Sequence, residues 1–278
     1  MREGTLETGV QSTARAGRPT KPELLGVSHL VLSVPEPSTS GPVLEALGYG
    51  EREANENCPN PREKEPFLSG PLLDTCAMQL MVPANGSPAI EVLRGAKASL
   101  ARPHFEGVLS EQPGASPGDV RNTLGGKHET ALPGLSRRLG TEGESGIGAL
   151  LIHVDSLETA LPLWRTLGYA EEEFDPRVRK IAVRGLRASN RLDLYFIEDR
   201  EKVEMGHLDA AGVVCLSLFC RNADRLRATL SERGYEVGGC FTLTPFGTAL
   251  RIFFMRNTTG EIYEFLSIAN SRGSEEGS

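Results

Sequence analysis

Three segments of this chain share one pattern of residues at one fixed spacing. Each opens with a glycine, continues through an apolar run, a short polar turn and a helix-like stretch, and closes with Gly-Tyr. The tyrosine always lies 23 residues after the opening glycine: the segments run from 26 to 49, from 146 to 169 and from 212 to 235. Self-similarity of this kind indicates repeated structural units that bury their apolar faces against one another. The chain is therefore predicted to contain three copies of one module.

The residues of the first repeat predict the order of elements in that module. A short β-rich run at 29–34 precedes a helix whose end is marked by Gly48, a residue that readily adopts positive φ. Two further strands, 76–83 and 89–95, flank Asn85-Gly86, a strong signal for a hairpin turn. The acidic, Pro-rich segment 51–66 between helix and hairpin is interpreted as a loop.

The second and third repeats follow the same order, so each module is predicted to be βαβββ. Asp155 or Ser156 can cap the helix of the second repeat, and Asn222 or Asp224 the helix of the third. A hairpin is expected around Ala188-Ser189-Asn190, although the second strand is faint in the first two modules. The predicted fold class is α+β, with the repeated βαβββ modules forming curled mixed sheets.

The spacing of the repeats predicts the division of the chain. Residues 1–22 and 271–278 are polar and aperiodic and are expected to be disordered tails. The first module covers 23–95. The second and third closing glycines are only 66 residues apart (168 to 234), so 146–270 is predicted to hold modules two and three, paired with each other. The first and second are 120 residues apart (48 to 168), which leaves 96–145 to explain.

That remaining segment, 96–145, is rich in Gly, Pro, Ser and Arg, with little apolar patterning. It is either a polar insertion or a module degraded beyond recognition, and the absence of a strand-helix signature favours the insertion. Some of 93–111 and 130–140 is expected to be helical. A structureless loop of this length is unusual inside a compact domain.

Composition excludes several classes of protein. A net charge of −7 disfavours nucleic-acid binding, which requires a dense Lys/Arg surface. No apolar run approaches the roughly 18 residues of a membrane helix, and the N-terminus lacks the apolar core of a secretory signal. The five cysteines show no CxxC or other metal-type spacing, which favours reduced thiols. The protein is predicted to be cytoplasmic, with no nucleic-acid or membrane partner.

The repeated strand-helix-LGY pattern and the terminal TTGEIYEFLSI resemble the vicinal oxygen chelate superfamily, which includes glyoxalase, bleomycin-resistance proteins and extradiol dioxygenases. The resemblance covers 26–95 and 146–268. It implies paired βαβββ modules whose strands curl into a cup around a ligand or metal. In that superfamily, a His or Gln at the start of the first strand and a carboxylate on the fourth strand bind the metal.

Carried over one position at a time, the resemblance implies His29 and Glu91 as metal ligands in the first module. The second module offers Asp193 but has Ala149 at the first-strand position, and the third offers Glu264 with Cys215 at that position. If modules two and three pair, their cup lacks both histidines. The implied ligand set is therefore His29, Glu91, Glu264 and Asp193, suited to Fe, Mn, Ni or Zn.

Four further residues are candidates for contact with a substrate. His153 shares a strand face with Ala149 and is the candidate general base, because the pKa of histidine lies near neutrality. Arg184 and Arg251, on third strands, are candidates to hold a substrate carboxylate by bidentate hydrogen bonds. Cys215 is the fourth candidate for substrate binding.

Three functions remain open from the sequence. The first is a metal-dependent lyase, isomerase or dioxygenase that acts on a small oxygenated metabolite. The second is a metal-free module that binds a small ligand, as resistance-type relatives do, and the third is a structural module without catalysis. Module one would lack a partner within the chain if modules two and three pair, and its open sheet edge motivates a homodimer hypothesis.

Overall fold

The computed structural model describes residues 23–95, 104–110, 117–124, 128–138, 146–185, 191–199 and 202–269. The tails predicted at 1–22 and 271–278 and the turn predicted at 188–190 lie outside these residues. The first module contains β1 (Leu24–Val34), α1 (Pro37–Ala46), β2 (Tyr49–Pro59), a 3₁₀ helix (Arg62–Phe67), β3 (Thr75–Pro83) and β4 (Ala89–Arg94). A segment that we call the truncated module follows, with β5 (Phe105–Ser110), α2 (Pro117–Leu124), β6 (His128–Leu132) and β7 (Leu135–Arg138).

The remaining elements belong to modules two and three. The second module contains β8 (Gly146–Val154), α3 (Leu157–Thr166), β9 (Glu172–Asp175), β10 (Val178–Arg184) and β11 (Arg191–Glu198). The third contains β12 (Gly212–Cys220), α4 (Ala223–Glu232), β13 (Glu236–Val237), β14 (Phe241–Leu243), a 3₁₀ helix (Pro245–Gly247), β15 (Leu250–Arg256) and β16 (Ile262–Ile268). The predicted α+β class with curled mixed sheets is confirmed.

The signals that mark the ends of the helices act as expected. Ser156 accepts a hydrogen bond from a first-turn amide of α3, and Asn222 does the same for α4. The glycines of the three Gly-Tyr pairs have positive φ: 85° at Gly48, 90° at Gly168 and 85° at Gly234. Because glycine has no Cβ, it reverses the chain there at little steric cost, and each tyrosine then enters the next strand or turn.

One predicted loop is instead a strand. The interpretation of 51–66 as a loop was wrong for 51–59, which belongs to β2 and pairs antiparallel with β3 from Tyr49 to Pro59. Most side chains of β2 are exposed because it is the edge strand of its sheet. An edge strand with polar side chains on both faces carries no apolar alternation, so its sequence resembles that of a loop.

The segment between the first two repeats is not a simple insertion. It supplies β5, α2, β6 and β7, and β5 pairs antiparallel with β8 of the second module. The helices expected within 93–111 and 130–140 were wrong where strands 105–110 and 135–138 form. The helix lies instead at Pro117–Leu124. Of the two alternatives for 96–145, the described residues therefore fit a shortened module.

The strand pairing differs from the prediction that modules two and three share a sheet. Modules one and three form a nine-stranded sheet, the larger sheet, in the order β13-β15-β16-β12-β1-β4-β3-β2 with β14 beside β15. The second and truncated modules form the seven-stranded smaller sheet, in the order β6-β7-β5-β8-β11-β10-β9. The short linker between modules two and three could not make them pair, because β5 already occupies the free edge of β8. Module one thus has its partner inside the chain, which removes the reason for the dimer prediction.

The two sheets share one hydrophobic core, which lies between them and includes helices α1, α3 and α4. Leu30, Leu32 and Leu216 reach it from the larger sheet, and Leu150 and Phe196 from the smaller. Two separate apolar clusters cover the opposite, outward faces of the sheets. Each sheet therefore has one face in the shared core and one face that curls outward. None of the helices in the described ranges is long and apolar enough to cross a membrane.

Substitution of Gly26 tests the contact between the sheets. A Cβ added at Gly26 would lie 2.5 Å from the carbonyl oxygen of Arg184 on the smaller sheet, and the backbone φ there is +153°. We expect Gly26→Ala to lower the free energy of unfolding by about 2 kcal/mol or more, measured by urea denaturation.

Gly50→Ala is the matched control. Gly50 lies on the exposed strand β2, and the nearest atom to an added Cβ is 4.0 Å away. Its expected effect is within about 0.5 kcal/mol. Equal stability losses for the two variants would show that β1 does not approach the end of β10 as described.

Candidate metal centre in the larger sheet

Three ionisable side chains meet on the outward face of the larger sheet. His29 on β1, Glu91 on β4 and Glu264 on β16 come from strands at its centre, and we call them the floor triad. The His29 Nε2 atom lies 3.3 Å from an Oε2 atom of Glu91 and 3.3 Å from Oε2 of Glu264. Side chains alternate along β1, so Leu30 faces the core while His29 and Val31 face outward.

The pairing of β1 with β12 gives this centre an internal two-fold relation. Leu30 pairs with Leu216, and on either side His29 pairs with Ser217 and Val31 with Cys215. The relation therefore exchanges His29 with Cys215. It also exchanges the two carboxylates, because Glu91 lies opposite Val31 on β4 and Glu264 opposite Ser217 on β16.

Burial and charge favour a protonated imidazole in the floor triad. The side chains of His29 and Glu264 are only 12% and 10% exposed. Burial by itself would lower the pKa of His29, but the Glu264 and Glu91 carboxylates outweigh burial and raise that pKa to about 10. Burial would likewise raise the pKa of Glu91, but contact with His29 lowers it. One cation between two anions leaves the triad with a net negative charge.

Hydrogen bonds fix two members of the triad. The Ser28 hydroxyl lies 3.0 Å from Nδ1 of His29, and Ser217 donates its hydroxyl hydrogen to Glu264. These contacts hold the imidazole with Nε2 directed toward the carboxylates. Cys215, at the position equivalent to His29, is fully buried, and its thiol contacts the carbonyl oxygen of Leu216 at 3.8 Å. Burial raises the pKa of that thiol well above its ordinary value.

The floor triad has the donor chemistry of a divalent metal site. The Nε2 atom of His29 is buried and lies close to both carboxylates. Its geometry does not satisfy a hydrogen bond to either of them. Two ligands bound cis to one metal at about 2.1 Å lie about 3 Å apart, close to the separations observed here. Among the described residues, no three His, Cys, Asp or Glu side chains already surround a single metal position. The triad thus has the donor types and the His-to-Glu spacing of a metal site, although these side chains do not yet surround a metal position.

A large cavity opens above the triad. Its volume is about 720 Å³, which is within the range of small-molecule sites, and His29, Glu91 and Glu264 all line it. The walls are mostly apolar and come from both ends of the curled sheet: Met78, Leu80, Phe219, Leu250, Ile252 and Leu266. Arg52, Lys64 and Arg191 add positive charge. We call this cavity the cup.

Comparison with solved structures identifies the fold. A Bacillus subtilis protein described as a dioxygenase superposes with a TM-score of 0.55 at 11% identity, over 90% of this chain and 87% of that one. Glyoxalase I from Zea mays superposes with a TM-score of 0.51 at 12% identity, over 87% of this chain and 92% of the maize chain. The chain has a glyoxalase-like fold. No protein-family model and no curated protein sequence matches the chain.

The glyoxalase-like fold confirms the structural resemblance inferred from the repeats, and at these identities it shows the fold alone. The structure brings together three of the four predicted metal ligands, His29, Glu91 and Glu264. Asp193 is not with them. It lies on the smaller sheet and forms ion pairs with Lys180 at 3.1 Å and with Arg191 at 2.7 Å.

The strand registers explain why Asp193 is not at the position equivalent to Glu91 and Glu264. In the larger sheet, each carboxylate lies opposite the residue two positions after the first-strand site, Val31 or Ser217. The equivalent residue of β8 is Leu151, and Tyr195 lies opposite it. The second module therefore has a buried tyrosine at its carboxylate position.

The two predicted arginines also lie outside the cup. Arg251 binds Asp224 at the start of α4, with an Nη2 to Oδ1 distance of 2.9 Å. Arg184 ends β10 with an exposed side chain. Neither is among the described residues that line the cavity. The sequence reasoning missed Ser217 and Lys64 as neighbours of the triad, although Ser217 shares a strand face with Cys215 by simple alternation.

His153 belongs to a different cluster, on the outward face of the smaller sheet. Its Nδ1 atom lies 3.0 Å from Oδ2 of Asp199, and its Nε2 atom 3.8 Å from Oε2 of Glu106. Ser136 donates a hydrogen bond to the same Glu106. Burial opposes protonation, but Asp199 and Glu106 raise the pKa of His153 to about 9. At neutral pH the imidazole is therefore protonated and acts as an ion-pair partner, which does not suit a general base.

The raised pKa of His153 predicts a pH-dependent contribution to stability. Its ordinary pKa is 6.5 and its pKa in the folded protein is about 9, so folding favours the protonated form. This contribution is complete below pH 6.5 and is lost as the pH rises to about 9. We expect the free energy of unfolding to fall more steeply over that interval in the wild type than in His153→Gln, by on the order of 2 kcal/mol.

Urea denaturation at half-unit steps from pH 6 to pH 9.5 measures this difference. Because all other titrating groups are common to both proteins, subtraction of the two curves isolates His153. Parallel curves would contradict the assignment of a protonated His153 between Asp199 and Glu106.

Proposed function

We propose that this protein is a metal-dependent enzyme that acts on a small oxygenated molecule in the cup. The observation that supports the proposal is the convergence of His29, Glu91 and Glu264 beneath a cavity of about 720 Å³. A nitrogen and two carboxylate ligands suit Fe(II), Mn(II), Ni(II) or Zn(II). Three protein ligands also leave coordination positions open, as catalytic metal sites require.

The electrostatics of the triad are compatible with metal uptake. Two carboxylates and a single imidazolium carry a net charge of −1, in a site where side-chain burial weakens screening by solvent. A divalent cation would displace the Nε2 proton of His29 and neutralise both carboxylates. Metal affinity should accordingly rise with pH, because the metal competes with that proton.

The residues around the cup would contribute to metal binding and to substrate binding in different ways. When bound, a divalent metal supplies a Lewis acid that polarises a substrate oxygen. Ser28 and Ser217 contact His29 and Glu264 and would hold these two ligands in place. The apolar walls, with residues such as Met78 and Ile252, exclude water and accommodate an apolar portion of the substrate. The cup therefore supports a small molecule that presents oxygen to the metal and an apolar body to the walls.

Metal content tests this proposal directly. We expect protein purified without chelator or affinity-column metal to bind about one equivalent of Fe, Mn, Ni or Zn, measured by elemental mass spectrometry and titration calorimetry. His29→Ala and Glu264→Gln each remove a ligand and should weaken binding by at least tenfold. Asp193→Asn is the control, because that carboxylate lies on the other sheet and reaches the cup only through its ion pair with Arg191, so it should lower affinity by much less than tenfold.

Two results would contradict the metal site. One is the absence of metal after reconstitution with each of the four ions. The other is equal loss of metal in Asp193→Asn and His29→Ala, which would place binding elsewhere. Thermal denaturation of each variant without metal controls for unfolding.

A metal-free binding function is the second candidate, and a specific contact favours it. The protonated His29 already pairs with both carboxylates, so one of the two negative charges of the triad is neutralised without a metal. An apolar ligand could then bind in the cup as it is. Under this alternative, apolar ligands should raise the melting temperature of chelator-treated protein, and Leu250→Asp or Ile252→Asp should abolish the shift.

The reaction class would be resolved after metal binding is established. The names of the structurally similar proteins, a dioxygenase and glyoxalase I, are consistent with dioxygenase, lyase or isomerase chemistry. Oxygen uptake during turnover separates the first of these from the other two. A dioxygenase consumes O₂ in proportion to substrate, whereas a lyase or isomerase consumes none.

A further inference from the structure

Two cysteines face each other in the wall of the cup. Cys58 on β2 pairs directly with Cys76 on β3 in the antiparallel ladder. Both side chains are half-buried and both line the cavity. Directly opposed residues of antiparallel strands have Cα atoms about 4.5–5.5 Å apart, within the range of about 4.4–6.8 Å that disulfides span. A bond between these sulfurs is therefore possible without movement of either strand.

The two thiols also differ in pKa. The hydrogen bond from the Cys58 thiol, aided by the nearby Lys64 ammonium, outweighs burial and lowers the pKa of Cys76 to about 7. The shared hydrogen bond and burial raise the pKa of Cys58. A thiolate beside a thiol donor is the arrangement of a reactive cysteine with a resolving partner.

The other cysteines lack this arrangement. Cys215 and Cys220 are buried, and Cys240 is half-buried and lies near Asp224. Burial raises the pKa of Cys240 to about 11. These three thiols are internal references for reactivity within the same chain.

We propose that Cys58 and Cys76 are a redox pair that closes into a reversible disulfide by exchange with a small-molecule disulfide that enters the cup. The Cys76 thiolate attacks one sulfur of the small disulfide, forms a mixed disulfide and releases one thiolate. Cys58 then loses its proton, attacks Cys76 Sγ and releases the second thiolate. The protein dithiol is oxidised by two electrons and the small disulfide is reduced to two thiols. One of these takes the Cys58 proton, and the other takes from solvent a proton equal to the one that Cys76 lost when it formed the thiolate.

Closure of this bond would tie the edge strand to the rest of the sheet. The Cys58–Cys76 bond would close a loop that contains the 3₁₀ helix Arg62–Phe67 and with it Lys64 of the cup. Oxidation would thus restrain one wall of the cavity and remove a thiolate from it, and small thiols would reverse both effects. The binding properties of the cup become sensitive to the thiol-disulfide balance around the protein.

Peptide mass spectrometry tests the proposal on the full chain. The protein is incubated with oxidised glutathione in the presence of a chelator, quenched with N-ethylmaleimide and digested with trypsin. Cleavage after Arg52, Arg62, Lys64 and Arg94 separates peptide 53–62, which carries Cys58 alone, from peptide 65–94, which carries Cys76 alone. We expect a covalent 53–62/65–94 pair that disappears on reduction, and we expect it to form before Cys240 reacts.

Two variants separate the roles of the thiols. In Cys58→Ser, glutathione should remain on Cys76 as an unresolved mixed disulfide, because serine keeps a hydroxyl donor but cannot attack. In Cys76→Ser, Cys58 should react at least tenfold more slowly than Cys76 does in the wild type. Melting temperatures confirm that each variant is folded before it is tested.

Two outcomes would overturn the proposal. The first is alkylation of both cysteines after Cys240 has become glutathionylated, which would show that the pair does not close. The second is formation of the linked peptides only in denaturant. Because chelator is present throughout, neither result depends on whether the floor triad binds a metal.

Discussion

The antiparallel pairing of β1 with β12 determines where the candidate metal centre of this protein lies. It joins the first and third modules over most of both strands, although 177 residues separate the end of β1 at Val34 from the start of β12 at Gly212. Glu91 and Glu264 flank these two strands on β4 and β16, so the pairing brings both carboxylates to His29. Any other pairing of the modules would separate them. The candidate metal centre is thus a direct product of the sheet topology.

The buried carboxylates of the candidate metal centre require an accompanying positive charge. Two carboxylates in a mostly apolar cavity are costly to leave unpaired, and a cation must accompany them. In the metal-free protein His29 supplies that cation, and a divalent metal would replace its proton. The same three side chains therefore compensate one another without metal and supply the donors for the proposed metal. The apolar walls strengthen both interactions because they keep the local dielectric constant low.

The sequence determines the modules more completely than it determines their arrangement. Local signals, such as the caps at Ser156 and Asn222 and the Gly-Tyr pairs, act within about a dozen residues and are readable from the chain. Pairing between first strands depends on which apolar edges meet in three dimensions, and the similar runs of β1, β8 and β12 do not distinguish the partners. The prediction therefore named His29, Glu91 and Glu264 but placed them in different cups.

Two other errors have separate physical causes. The edge strand β2 carries polar side chains on both faces, so it lacks the alternation that marks a half-buried strand. The truncated module has short strands, Phe105–Ser110 and Leu135–Arg138. The polar sequence around them carries too little apolar patterning for the strands to be recognised. The Cys58–Cys76 pair depends on that missed strand, because only the register of β2 against β3 brings the two thiols together.

The candidate metal ligands lie on one sheet only, because the equivalent positions of the other sheet hold different residues. The larger sheet places His29 and two carboxylates on its outward face, whereas the smaller sheet has Ala149 and Tyr195 at the matching positions of its second module. Both of these side chains belong to an apolar cluster that covers part of that face, beside the His153 ion pairs. The smaller sheet therefore contributes chiefly to the shared core, which holds β1 and β12 in the register on which the floor triad depends.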